Sequence, residues 1–494
     1  MNNLIKNELI KIFHKKTLYI LLLVMIILVT IISFFNKSLE EGNSNKYYDY
    51  DNSLSSESID LIQDDIDTLD KNDPDNKEQL TYYYSELEAI NLLKEYDSNS
   101  WQAYIINNYA RDIIYQKNIS EGTSEYIENK DKYDKFIERL KNDDWKSFVN
   151  QELDEINKQI DELKSTNEYD KDTLESLEDN KQVLTWRIEK NIEYGNNNLN
   201  DALESWKMQK SQLRDLESKE KTNTLEYSDK YQKQILIQSS ELYKYQIENE
   251  IKDAKVTSDD GNNYYLSKTI DSDLATSLSL SQYGLFIIIV IIVISGTIVS
   301  EEFNKGTIKL LLVRPYKRIK ILLSKFITCL IILLFMYLLV FIIQFILGGI
   351  TYGFSNYSFN IITYDFNTNS IQNINAIKYM LLIGAGISPL YILLMTLSFT
   401  LSTLFTNSQL AIALPLLGYM FSNIINQIAY NYDQAEFLKF FVTPNWNLNI
   451  FLFGRISQFE PISFSFSLTV CIVYFLIMII LSSIIFNKKE IKNI

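Results

Sequence analysis

The sequence predicts an all-α membrane protein: six transmembrane helices with both chain ends on the cytoplasmic side, and a large helical extracellular domain, including a coiled-coil hairpin, between the first and second. Three observations predict it. Six charge-free apolar runs, at residues 18–35, 283–299, 326–350, 379–405, 410–430 and 468–486, are each near the roughly 20 residues a helix needs to cross hydrocarbon. The net charge of −15 is unevenly spread, because residues 36–282 hold 30 basic and 54 acidic side chains whereas the rest holds 17 and 8. Residues 36–282 also contain one proline and four glycines, too little turn punctuation for a sheet-rich domain of that length.

The first apolar run is a retained anchor, since it is long and no small-x-small cleavage pattern precedes Asn36. Orientation follows the basic residues, which the cytoplasmic side keeps during insertion. Lys6, Lys11, Lys15 and Lys16 precede the first span; seven Lys and Arg residues lie in 300–325; Lys488, Lys489 and Lys492 lie in the tail 487–494. All three segments belong inside. The stretch 351–377 has no basic residue and 431–467 has only Lys439 and Arg455, so both face outward with the acidic domain. Within that domain, Leu153, Ile156, Ile160 and Leu163, then Leu174, Leu177, Leu184 and Ile188, have seam spacing on two helices joined by a turn at 165–170. Leu199, Leu203, Trp206, Leu213 and Leu216 predict a further helix, and the tyrosines between 225 and 251 read as a packed face.

The connection at 300–325, SEEFNKGTIKLLLVRPYKRIKILLSK, is the most informative stretch. Phe303, Thr307 and Leu310 recur at helical intervals, giving a helix over 300–312 with Lys305 and Lys309 turned to water or a partner. Arg314 precedes Pro315 and is pushed to extended geometry, which ends that helix before another begins near Tyr316. A bent basic knob results.

These residues resemble the first cytoplasmic connection of ABC-2-type transporter permeases, which show Glu-x-x-x-Gly-Thr, a Leu-rich stretch, Arg-Pro and a basic helix leading to Ser-Lys. The matching positions are Glu302, Gly306, Thr307, Leu310, Leu311, Arg314, Pro315, Arg318, Ser324 and Lys325. The resemblance implies a coupling helix docked on a separate ATPase subunit, with Glu301, Glu302, Phe303, Gly306, Thr307, Leu310, Arg314, Pro315 and Arg318 as the coupling residues. Residues 1–17 are similar to the family's interfacial elbow helix, with Leu4, Leu9, Ile12 and Phe13 towards lipid. The six-span pattern matches as well. The large insertion at 36–282 departs from the family's minimal form.

Composition excludes several function classes. One histidine, His14, and two cysteines inside apolar runs leave no His-based triad, no disulfide framework and no His/Cys metal cluster. No Gly-Lys dipeptide occurs, so no P-loop is present and the chain is expected to hold no cofactor itself. The apolar runs contain no Asp, Glu, Lys, Arg or His, which argues against ion coupling through a buried carboxylate. The expectation is a non-catalytic permease subunit, dimeric with a second permease chain of the same or another kind. It is driven by two copies of an ABC ATPase that carry the ATP and Mg, and it has no nucleic-acid partner. Gln344, Asn423, Asn426 and Gln427 are candidate path residues, with interhelical hydrogen bonding as their plainer role. Cargo would be a peptide, antibiotic or lipid-like amphiphile. A membrane sensor or an envelope scaffold built on the outer domain is the alternative. The wealth of Asn, Ile, Lys and Tyr points to the plasma membrane of a low-GC bacterium with one membrane.

Overall fold

The computed structural model describes residues 1–47, 56–71, 73–166, 170–258, 264–268, 280–309, 316–354, 360–431, 433–459 and 462–489. Its contacts divide the chain into two units. One comprises Met1–Lys37, Lys219–Gln238 and Val256–Ile494; the other comprises Ser38–Ser218 and Ser239–Lys255.

The first unit is a helical bundle. Among the described residues, five helices are long and apolar enough to cross a membrane: Gly284–Asn304, Arg318–Gly348, Ala376–Leu404, Ser408–Ile428 and Phe464–Lys488. A sixth is reached if Asn2–Phe13 and Lys16–Ile32, which meet at 63°, are counted as one broken span. Large apolar side chains line the outside of these helices. Ile331, Leu334, Leu338, Ile342 and Ile346 form one exposed stripe, and Ile472, Leu476, Ile480 and Ile484 form another. Stripes this long suit hydrocarbon and not water. The chain is a multi-pass helical membrane protein.

Inside the bundle the helix Leu280–Thr297 packs most extensively against Ala376–Leu404, and also against Arg318–Gly348 and Ser408–Asn431. Hydroxyls join these helices where lipid offers no competing water. Ser398 Oγ lies 2.9 Å from the carbonyl oxygens of both Ile292 and Ala411. Helix Leu280–Thr297 stops, and a new helix, Ser300–Asn304, starts without a capping side chain of its own. The cap comes from elsewhere: Ser402 Oγ accepts the N–H groups of Val299 at 3.2 Å and Ser300 at 2.9 Å.

The chain also contains strands that the all-helical expectation missed. They are β1 (Ala254–Ser258), β2 (Tyr264–Lys268), β3 (Asn360–Asp365) and β4 (Ser370–Asn375), in the order β1-β2-β3-β4. β2 and β3 are antiparallel with Leu266 opposite Ile362; β3 and β4 are antiparallel from Asn360 opposite Asn375 to Asp365 opposite Ser370. A two-stranded ribbon alone is marginal in water, so each hairpin gains its stability from a partner far along the chain. Buried Gln238 fastens the joint. Its amide donates to Thr363 Oγ1 at 3.3 Å and Tyr364 O at 3.4 Å, and its oxygen accepts the N–H of Tyr264 at 3.3 Å. For this reason the boundary read at 282 does not match the packing, in which 219–238 and 256 onward belong with the bundle.

The second unit is built from helices. Trp145–Ser165 and Lys171–Glu189 pack on each other as a hairpin, with Lys164 Nζ 3.2 Å from Glu178. The second arm starts where the Asp170 carboxylate accepts the N–H groups of Asp172 and Thr173. Ile160, Leu174 and Leu184 are buried along the seam, while Leu153, Ile156 and Ile188 are partly buried. Helix Asn198–Lys221 buries Leu199, Leu203, Trp206, Leu213 and Leu216, and Trp206 meets Trp186 edge-on at 4.7 Å.

This unit should lose stability in acid through Glu88. Burial by itself would raise that carboxyl's pKa, but hydrogen bonds from Lys117 at 2.6 Å and Asn118 at 3.1 Å hold it below its usual value. A depressed folded-state pKa gives stability that is present above the unfolded value and lost as pH falls through the folded one. Glu88→Gln should therefore lower stability by about 1 kcal/mol at neutral pH, discounted because the pair is partly exposed. The gap should close well below about pH 4. Thermal melts of wild type and variant across pH measure it; an equal gap at both ends contradicts the assignment.

Candidate functional site

The segments Asn2–Phe13, Ser300–Asn304, the start of Arg318–Gly348 and the end of Phe464–Lys488 meet at one end of the bundle. The helix expected over 300–312 is shorter. It ends at Asn304 because Gly306 takes φ +69°, left-handed geometry that a β-branched residue adopts only with strain. Leu310, Leu311, Arg314 and Pro315 lie outside the described residues.

A buried charge cluster holds these segments. Lys325 is fully buried, with Nζ 2.8 Å from Glu302 Oε1 and 2.9 Å from Glu8 Oε1. Lys11 also pairs with Glu302, and Glu301 pairs with Lys15 and Lys305. The second oxygens of Glu8 and Glu302 are buried without a hydrogen-bond partner among the described residues. A cleft of about 500 Å³ opens beside them, lined by Asn7, Lys11, Lys15, Glu301, Lys305 and Thr307 among others. Desolvating each of these ions costs several kcal/mol, so the cluster persists only through close opposite charges. Its effect is positional: it fixes the N-terminal helix, the 300–304 helix and the 318–348 helix in one register.

Two sequence-based expectations are corrected here. The charge-free runs end short of the real helices, so ionisable groups do lie buried at their ends: Glu302 within Gly284–Asn304 and Lys325 within Arg318–Gly348. And the apolar face of the first helix turns to protein instead of lipid. Leu4, Glu8 and Ile12 are buried, and Phe13 meets Phe335 edge-on at 5.6 Å. Glu8 itself was missed. The signal was present, since it is the lone acidic residue among the first 35 and sits at i+4 between Leu4 and Ile12.

The coupling residues divide by environment. Phe303 is buried, edge-on to Phe486 at 6.2 Å, with Lys489 Nζ 4.3 Å from its ring centre. Arg318 Nη1 donates to the carbonyls of Asn487 at 3.0 Å and Lys489 at 3.2 Å, satisfying the end of the last helix. Glu302, Phe303 and Arg318 thus hold the chain's own parts together. Asn304, Lys305, Thr307 and Lys309 are exposed and form the outward surface of the turn, with Glu301 and Gly306 half-buried behind it.

The path residues are not brought together as a set. Asn423 and Asn426 line one cleft near Tyr391 and Trp446. Gln344 is buried on the 318–348 helix, and Gln427 is exposed on the same helix as Asn423; neither lines that cleft. Among the described residues no group of His, Cys, Asp or Glu has a metal-holding arrangement.

Residues 254–492 match a family described as Protein of unknown function (DUF2705). The matched stretch begins at β1. The chain is 32% identical over 211 residues to Uncharacterized protein YhcI of Bacillus subtilis (strain 168), spanning 42% of this chain and 65% of that protein's length. It is 27% identical over 202 residues to Uncharacterized membrane protein YdbK of the same organism, spanning 41% of this chain and 76% of that protein. No solved structure matches.

Proposed function

We propose that the chain is the membrane subunit of an ABC-2-type transporter, driven by a separate ATPase that supplies the nucleotide site, ATP and Mg. The reading places it as a permease dimer in the plasma membrane of a single-membrane bacterium, with the 300–325 turn in the cytoplasm. The observation that carries it is the buried Lys325 cluster behind an exposed, glycine-broken basic turn. Such a turn is a contact surface, and the cluster behind it passes displacement directly to the helices Gly284–Asn304 and Arg318–Gly348. The similarity to YdbK, which is called a membrane protein, is compatible with a membrane role.

The test is ATP turnover by the full chain reconstituted with its candidate ATPase. The wild type should stimulate hydrolysis. Gly306→Val, which forces a β-branched residue into left-handed geometry at a cost of about 1–2 kcal/mol, should reduce the stimulation about tenfold while the chain still melts cooperatively. Arg314→Glu should weaken co-purification of the ATPase. Turnover and capture unchanged in both variants, or hydrolysis by the purified chain alone, would remove the reading.

A further inference from the structure

The bundle contains a second cleft, of about 400 Å³, whose walls are entirely uncharged. Leu285, Ile288, Ile387, Leu390 and Ile450 form its apolar side; Tyr391, Tyr419 and Trp446 supply rings; Ser422, Asn423, Asn426 and Thr443 supply polar atoms. Gly284 sets its depth. A Cβ there would lie 2.1 Å from Tyr391 Oη, so only glycine lets that ring sit against the helix.

Two polar atoms in this lining have no partner among the described residues: Asn426 Oδ1 and Thr443 Oγ1. Thr443 is 8% exposed. Leaving each unmade costs about 1–3 kcal/mol, a standing penalty that a folded protein normally removes. One bridging water would satisfy them but not fill the space, which at liquid density would hold about a dozen waters between its polar atoms and its aliphatic side. An ion or a charged headgroup would meet no counter-charge.

We infer that this cleft binds an uncharged amphiphile that donates N–H or O–H hydrogen bonds to Asn426 and Thr443 and lays its apolar portion between the aromatic rings and the aliphatic side. The volume falls within the range of small-molecule sites. The transport reading makes this occupant the cargo; the binding step does not depend on that reading.

Trp446 is a local reporter, because the other four tryptophans, Trp101, Trp145, Trp186 and Trp206, lie in the second unit. The full chain in nanodiscs, without ATPase or nucleotide, is titrated with a chain-brominated monoacylglycerol, whose bromines quench indole on contact. The signal is taken as the difference from Trp446→Phe. Saturable quenching is expected, with at least tenfold weaker binding of the brominated fatty-acid anion of equal chain length. Thr443→Val and Asn426→Leu should each weaken monoacylglycerol binding about fivefold, the worth of about 1 kcal/mol. Thr443→Val preserves shape, and its melting temperature checks the fold. Quenching that rises linearly without saturation, equal affinity for the anion, or unchanged affinity in both variants overturns the inference. Each of these results leaves the ATP-turnover test of the transport reading standing, and loss of turnover stimulation leaves the binding result standing.

Discussion

Lys325→Met should destabilise the protein by about 3–5 kcal/mol, because it leaves Glu8 and Glu302 buried with their central cation removed. Lys11 still reaches Glu302, so Glu8 suffers most. The expected molecular result is release of the N-terminal helix, whose buried face includes Glu8 between Leu4 and Ile12. Thermal melting in nanodiscs reads the loss, and faster proteolysis between residues 2 and 13 reads the release. The triple variant Glu8→Gln, Lys325→Met, Glu302→Gln should regain more than half of the lost stability, since neutral groups need no counter-ion. A single variant as stable as wild type would show that the cluster is not charged as described.

Phe303→Ala should cost about 3–5 kcal/mol, the usual range for removing a buried aromatic ring. The ring is 2% exposed, meets Phe486 edge-on, and carries Lys489 above it. Its loss opens a cavity and loosens the end of the last helix, which then keeps the Arg318 hydrogen bonds and those from Lys489 to the Thr403 and Leu404 carbonyls. Phe303→Leu should recover most of the packing and little of the aromatic contact. Melting temperature separates the three proteins, and equal values for Ala and wild type would contradict the burial.

Both experiments act on residues whose roles were only half legible in the sequence. The positions of the apolar helices were legible because a membrane imposes length and apolarity on contiguous residues. The hairpin at Trp145–Ser165 and Lys171–Glu189 was legible for the same kind of reason, a local periodicity. What failed were relations across long separations. A search for charge-free runs stops before Lys325 and Glu302 by construction of the rule, and no local pattern pairs residue 325 with residue 8. The strands carried a missed local signal: Asp260-Gly261 stands between Ala254–Ser258 and Tyr264–Lys268, a dipeptide that favours tight hairpin turns. Helical bias from the rest of the acidic stretch overrode it. In the candidate site, the motif positions Glu302 and Arg318 lie in a segment that packs on other parts of the chain. Sequence could not say that they face inward to Lys325 and to the last helix's carbonyls.

The pairing of Tyr265 with Thr363 constrains topogenesis by parity. Gly284–Asn304 and Arg318–Gly348 lie between those two partners, so a chain that threads both helices across the bilayer must return to the compartment it left. Thiols introduced as Ser258→Cys and Asn369→Cys should then share one reactivity towards an impermeant maleimide, and Lys305→Cys should have the opposite one. The native thiols Cys329 and Cys471 are buried and leave the background dark.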